Sequence, residues 1–198
     1  MDKPQIIIGL GTGRCGTVSL SHLLNSQEDS NFTHECQPRL PWEKDMKLFD
    51  EFMEIQNKKK ETFVGDVSFY HLPYVEQMIM RNPEIKFVCL QRDKDDTVKS
   101  YLKKVGERNH WQNKGVVDLW DEHYPTFENN LSKKQCVEEY WEEYYSMAYA
   151  YNWCYSGNFR VYETEELNEE KSVLNLLEFC GFPEPNVVTA IQKNKGIK

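Results

Sequence analysis

The amino-acid sequence predicts an α/β fold of three layers, with a mainly parallel sheet at the centre and helices on both faces. Three observations lead there. Short apolar runs alternate with segments of helical periodicity along the chain. The first run, Ile6-Ile7-Ile8, leads directly into a glycine-rich turn and then a helix. No internal repeat, low-complexity tract or Pro/Gly linker interrupts the alternation. Strands alternating with helices build βαβ units, whose strands pair in parallel and whose ligands sit at strand carboxyl ends.

The elements follow in order. Gln5–Leu10 reads as a buried strand, short and β-branched. Thr17–Asn25 is a helix with Leu20, Leu23 and Leu24 at helical spacing. Phe32–Glu35 is a short strand, and Trp42–Lys59 a helix with Leu48, Phe49, Phe52 and Met53 on one face. Thr62–Val67 is a third strand. Tyr74–Arg81 is helical and stops before Asn82-Pro83. Ile85–Gln91 is a strand; Asp93 suits the cap of the next helix, and Asp95 and Asp96 suit its positive end. Residues 106–131, rich in Asn, Gly, His and Trp, read as a lid or binding loop. Ser132 and Gln135 make a capping-box signature for a helix to about Tyr155. Its aromatics Tyr140, Trp141, Tyr144, Tyr145 and Tyr151 read as core. Phe159–Glu163 is the last strand, and Glu169–Cys180 the last helix, closed by Gly181 and Pro183.

Length and charge bound the function. The 198 residues suit one domain, 1–198. A net charge of −8 argues against nucleic acid as a partner, although 24 Lys and Arg leave room for a local basic pocket. No apolar run approaches the roughly 18 residues needed to span a bilayer, so no membrane partner is expected. The first strand is read to begin within five residues, so no secretory signal is expected. Cys15, Cys36, Cys89, Cys136, Cys154 and Cys180 form no CxxC pair. Zinc or a disulfide framework is not expected, and a cytoplasmic location is.

The chemistry concentrates in Gly9-Leu10-Gly11-Thr12-Gly13-Arg14-Cys15-Gly16-Thr17, between the first strand and the first helix. A helix N-terminus offers free N–H groups and a positive dipole end, so an anion is the ligand to expect. Three nucleotide chemistries compete. Gly11-x-Gly13-x-x-Gly16, with Glu35 nineteen residues beyond Gly16, matches a dinucleotide fingerprint and an NAD(P)-dependent oxidoreductase. Gly11-x-x-x-x-Gly16 has the glycine spacing of a triphosphate loop. There, however, Thr17 replaces the lysine and Val18 stands where a magnesium-binding Ser or Thr belongs. In the third, Arg14 supplies the loop with its own cation just before the helix.

Arg14-Cys15-Gly16-Thr17 resembles the 5′-phosphosulfate loop of the sulfotransferases, in which a basic residue, a small residue, Gly and Thr occupy these positions. Phe87-Val88-Cys89-Leu90 ends in Gln91-Arg92, with Ser100 eight residues after Arg92. That is similar to the family's 3′-phosphate site. Arg160-Val161-Tyr162-Glu163-Thr164-Glu165-Glu166-Leu167 with Leu176–Gly181, and Val64–Tyr70, resemble other family stretches. Carbohydrate-modifying members often carry a lysine where this chain has Val67.

The resemblance implies a P-loop NTPase-like sulfotransferase fold, closer to the carbohydrate and bacterial members than to the cytosolic small-molecule ones. It implies 3′-phosphoadenosine 5′-phosphosulfate (PAPS) as donor, adenosine 3′,5′-bisphosphate (PAP) as product, and no metal. The acceptor would be a hydroxyl or amine of a carbohydrate or small molecule. Gly13, Arg14, Cys15, Gly16, Thr17, Val18 and Ser19 would hold the phosphosulfate, and Arg92 and Ser100 the 3′-phosphate. Arg14 would also meet charge in the transition state. Glu35, His34 and Asp66 are the alternatives for the base. Cys15 sits where a helix N-terminus lowers a thiol pKa, yet as a nucleophile it would need a partner base. His110, Trp111, Trp120, His123 and Tyr124 would line the acceptor pocket. A module that binds the nucleotide without chemistry stays open because of Val67.

Overall fold

The computed structural model describes residues 3–106, 108–112 and 118–189. Five strands form one sheet: β1 (Gln5–Leu10), β2 (Ser30–His34), β3 (Phe63–Val67), β4 (Lys86–Gln91) and β5 (Phe159–Glu163). All are parallel, in the order β2-β3-β1-β4-β5. Six α-helices connect or follow them: α1 (Thr17–Asn25), α2 (Met46–Lys58), α3 (Val75–Arg81), α4 (Lys94–Val105), α5 (Lys133–Cys154) and α6 (Glu170–Cys180).

The period of two along β1 sorts its side chains between two cores. Ile6, Ile8 and Leu10 face a layer built from α2, α3, α4 and α5, including Phe49, Met78, Tyr101 and Tyr140. Ile7 faces α1 and α6, through Leu20, Leu24, Val173 and Leu177. The expected three-layer α/β arrangement is the one observed. Burial on both faces explains why β1 reads as a continuous apolar run.

The strand order places the site. The chain leaves β1 for the edge strand β2, returns to β3 beside β1, then crosses to β4 on the other side. Connections that diverge from one strand open a crevice at its carboxyl end. The glycine loop starts there. The order also separates β2 from β1 by β3. A dinucleotide fold of the 3-2-1-4-5-6 type needs β2 beside β1, so that its terminal acid reaches the ligand. The oxidoreductase alternative is therefore not matched by the topology.

Element ends differ from expectation for local reasons. β2 starts at Ser30 and stops at His34, which leaves Glu35 just outside the strand with φ 55°. α2 begins at Met46 rather than Trp42, because the Asp45 carboxylate caps it by accepting from Lys47 N and Leu48 N. Before α3 a 3₁₀ turn, Phe69–Tyr74, accommodates Pro73. The Asp93 cap, the Ser132–Gln135 capping box and the left-handed Gly181 at the end of α6 are present as expected. Of the expected loop 106–131, residues 107 and 113–117 lie outside the described residues.

Candidate functional site

The glycine loop is held from above by tyrosines. Tyr140 Oη donates to the Thr12 carbonyl at 3.1 Å, and Tyr101 Oη donates to the same oxygen. Tyr144 Oη accepts from Gly11 N–H at 2.9 Å and donates to the Phe69 carbonyl at 3.1 Å. Tyr145 Oη donates to the Leu90 carbonyl at 2.8 Å. Burial holds all four phenols well above their ordinary pKa, so they remain hydrogen-bond donors. Of the α5 aromatics read as core, Tyr140, Tyr144 and Tyr145 are buried while Trp141 and Tyr151 are half-buried, and the hydroxyls of Tyr140 and Tyr144 hold the loop.

Two further devices shape the loop. The Gly13 N–H donates to the Gly11 carbonyl at 2.7 Å, so it is not among the groups turned toward a ligand as expected. Gly13 has φ +83°, and a Cβ there would lie 2.6 Å from Tyr101 Oη. From the other side, the Thr164 hydroxyl lies 2.6 Å from the Cys15 carbonyl and 3.0 Å from the Gln91 carbonyl, tying the loop to the end of β4.

The loop ends in α1, whose first intrahelical backbone bond is Leu20 N–H to Gly16 O at 3.0 Å. The N–H groups of Thr17, Val18 and Ser19 are therefore the orphan donors of a helix start. Val18 and Arg14 are exposed there, and Ser19 half-buried. Cys15 is different. Burial pushes its thiol up, and the hydrogen bonds from the Gly13 backbone, Tyr145 and Thr12 only partly offset this. The expectation of a lowered pKa at this helix end is overturned by burial.

Arg14, Arg92 and Ser100 are brought together. Arg14, at φ 58°, turns its side chain so that Nε donates to Ser100 Oγ at 3.0 Å. Arg92 Nη1 donates to the Arg14 carbonyl at 3.3 Å, and Nη2 lies 3.5 Å from an Asp96 carboxylate oxygen. Trp141 Nε1 holds the Arg92 carbonyl at 3.2 Å. Arg92 also lines a groove of about 360 Å³ with Gln91, Lys94, Trp141, Glu163 and Glu165.

The candidate bases stand across the loop. His34 Nε2 lies 3.2 Å from Thr17 Oγ1, at the first turn of α1. Glu35 is half-buried. Burial raises its carboxyl above the usual range and the Asp66 charge adds to that, against the pull of His34, Arg39 and Arg14. Asp66 is fully buried and engaged: His71 Nε2 lies 2.8 Å from one oxygen, and Cys36 N–H donates to the other at 3.3 Å. Burial would raise its pKa, but His71, Thr33 and Cys36 together bring it below the ordinary value. Tyr70 Oη donates to the Cys36 carbonyl at 3.0 Å. Both backbone groups of Cys36 are thus gripped, which fixes the turn that carries Glu35. Val67 is core: it packs with Leu20 against the space left by Gly9, where a Cβ would lie 2.7 Å from the Val67 methyls.

The aromatic loop forms a wall. Trp111 is fully buried against Tyr101 and Tyr140, with ring centroids 5.5 and 5.6 Å apart. His110 stacks on Tyr124 at 5.3 Å, and Tyr124 on Phe69 at 4.5 Å. His123 is buried, with Nδ1 3.0 Å from the Leu40 carbonyl. Of the expected acceptor residues, only Trp120 and Tyr124 are half-buried. His110, Asp118 and Asp121 bring ligand atoms within 4.8 Å of one another, but Asp121 is 2.9 Å from His110 Nδ1 and Asp118 is 2.7 Å from Arg108. All six cysteines are free thiols, and no described helix is long and apolar enough to cross a membrane.

Sequence reasoning missed Tyr101, Tyr140, Tyr144, Tyr145 and Thr164. The available signal was tyrosine where phenylalanine would fill the same core, since a buried phenol needs a partner.

The chain is similar to known proteins in three ways. A domain model described as a sulfotransferase domain matches residues 6–180. The solved structure of a sulfotransferase from Alicyclobacillus acidocaldarius superposes with a TM-score of 0.57 at 18% identity, covering 98% of this chain and 88% of that one. A mouse sulfotransferase complexed with PAP superposes with a TM-score of 0.53 at 13% identity, covering 92% of this chain and 59% of that one. Over 106 residues the chain is 31% identical to beta-mannosidase A of Aspergillus niger, a match over 50% of this chain that spans only 11% of that protein. The two superpositions share the overall α/β fold, and the domain model runs from the first strand through the last helix. The chain belongs to the sulfotransferase family.

Proposed function

We propose that the chain is a PAPS-dependent sulfotransferase, acting as one domain on a hydroxyl or amine of a carbohydrate or small molecule. The observation that carries this reading is the Arg14–Ser100 bond with Arg92 on the Arg14 carbonyl, at the N-terminus of α1. It joins the loop and the β4 end into one anion cradle. The donor set fits a bisphosphate nucleotide: α1 N–H groups and Arg14 for the 5′ end, Arg92 and Ser100 for the 3′-phosphate, and the groove beside Trp141 for the remainder. Val18 serves through its backbone, and Thr17 and Ser19 through backbone and hydroxyl.

When bound, the phosphosulfate supplies the sulfuryl group and leaves as the bisphosphate. The residues of the chain do the rest. Arg14 and the α1 N–H groups would stabilise the oxygen on which charge develops, and the tyrosines hold the loop that carries them. Glu35 removes the acceptor proton. Its raised pKa brings it nearer neutrality, which suits a general base. His34, beside Thr17, is the alternative base and orients that hydroxyl. Asp66 serves by holding the turn after Glu35.

The test is transfer of label from radiolabelled PAPS to carbohydrate and phenol acceptors. Transfer by the native chain, lost in Glu35→Gln while PAP binding persists, is the expected result. PAP binding without transfer to any acceptor or to water leaves only the non-catalytic module. A chain that binds neither PAPS nor PAP overturns the reading.

A further inference from the structure

We propose that Arg39, laid on Trp120, is a specificity-determining residue that receives an oxyanion group of the acceptor; this rests on the sulfotransferase reading above.

The Arg39 guanidinium lies over the Trp120 ring, 4.2 Å from its centroid. Its Nε is sealed from solvent without a hydrogen-bond partner. In a chain of net charge −8, it makes no salt bridge among the described residues. With Nε sealed, the two Nη groups, which make no hydrogen bond among the described residues, are the donors this stacked guanidinium offers to a planar anion.

Its platform is fixed. Residues 36–42 are pinned at both ends. Tyr70 and Asp66 hold Cys36, His123 meets the Leu40 carbonyl at 3.0 Å, and Trp42 N–H donates to the Glu122 carbonyl at 2.7 Å. The platform also belongs to the site. Arg39 is four residues from Glu35 and among the charges acting on its carboxyl. Trp120 packs on Phe69 at 6.2 Å, and Phe69 stacks on Tyr124, which feels the charges of Glu35 and Arg14. Arg39 is thus close enough to Glu35 for its charge to act on that carboxyl, and an acceptor presented to Glu35 comes into the field of the same guanidinium. Carboxylate, sulfate and phosphate share the chemistry that Arg39 recognises, so the acceptor class is a hydroxyl or amine compound bearing one of these.

The test measures binding to the PAP-loaded full chain by titration calorimetry. The probes are methyl glucoside, methyl glucuronide, methyl glucoside 6-sulfate and methyl glucoside 6-phosphate. At least one anionic probe is expected to bind about ten-fold or more tightly than the neutral parent, and the strongest identifies the oxyanion. Arg39→Gln is expected to remove the preference without changing PAP affinity. Arg39→Lys is expected to retain part of it, because the charge stays and the fork is lost. Parity of the four probes on the native chain, absence of binding by all four, or a preference that survives Arg39→Gln overturns the inference. If PAP itself fails to bind, the sulfotransferase reading has failed first, and the two failures are distinguishable.

Discussion

Arg14 Nε donates to Ser100 Oγ at 3.0 Å, across 86 residues of sequence. Through this bond a loop after β1 and a helix after β4 become parts of one cradle. Neither motif alone distinguishes a nucleotide site from an ordinary turn or an exposed helix. Their contact, with Arg92 on the Arg14 carbonyl, is what the proposed function rests on.

The first prediction separates the two partners of Arg14. Arg92→Ala removes a charged fork and is expected to weaken PAP binding by about 10- to 100-fold, from roughly 1.5–3 kcal/mol for charge-assisted hydrogen bonds. Ser100→Ala removes one neutral hydroxyl and is expected to cost about 1 kcal/mol or less, under ten-fold. Titration calorimetry with PAP checks both. Equal losses would show that the cradle does not divide this way.

The tyrosine roof gives a second. Tyr144→Phe keeps the ring but strips Gly11 N–H and the Phe69 carbonyl of their buried partner. It is expected to destabilise the fold by about 1–3 kcal/mol in urea unfolding. Gly13→Ala, strained at φ +83° and 2.6 Å from Tyr101 Oη, is expected to reduce PAP binding more than it reduces stability.

A third concerns pH. Burial raises the Glu35 carboxyl, so its base form appears only above the usual carboxylate range. kcat/KM is expected to rise with pH through that raised value and to lose this limb in Glu35→Gln. Stability runs the other way. A carboxyl raised on folding stabilises fully below its unfolded pKa and loses that contribution as pH climbs through the folded value. Glu35→Gln is therefore expected to be neutral or slightly stabilising at neutral pH, as read by thermal unfolding.

Asp66 has the opposite sign. Held below its ordinary value by His71, Thr33 and Cys36, it stabilises above the unfolded carboxylate pKa and loses this as pH falls through the folded one. Asp66→Ala is expected to cost about 1–3 kcal/mol at neutral pH, since it leaves the His71 ring and the Cys36 N–H without their buried partner. The gap from the native chain should narrow in acid. An unchanged gap would mean that the carboxylate is not what stabilises this corner.

How much was legible follows from what each signal encodes. The fold was legible because strands buried on both faces read as apolar runs and the helices between them keep their period. The loop was legible through its glycines, and Arg92 and Ser100 through their spacing and resemblance. The tyrosines were not: helical spacing says that Tyr140 and Tyr144 face inward, but not that their hydroxyls end on Thr12 and Gly11. Cys15 was misjudged because a helix N-terminus is visible in sequence and burial is not. Asp66 looked like a strand-end base; only strand register and the turn to His71 reveal that its oxygens are taken.

Thermal unfolding with adenosine 3′,5′-bisphosphate tests the central claim most directly, run beside NAD and ATP with magnesium. At a hundred-fold excess over Kd the bisphosphate is expected to add about 2.7 kcal/mol, raising Tm by roughly 5–10 °C in a chain of this size, with no rise from the other two. A Tm unmoved by the bisphosphate, or moved equally by NAD or ATP, would contradict the assignment of this cradle.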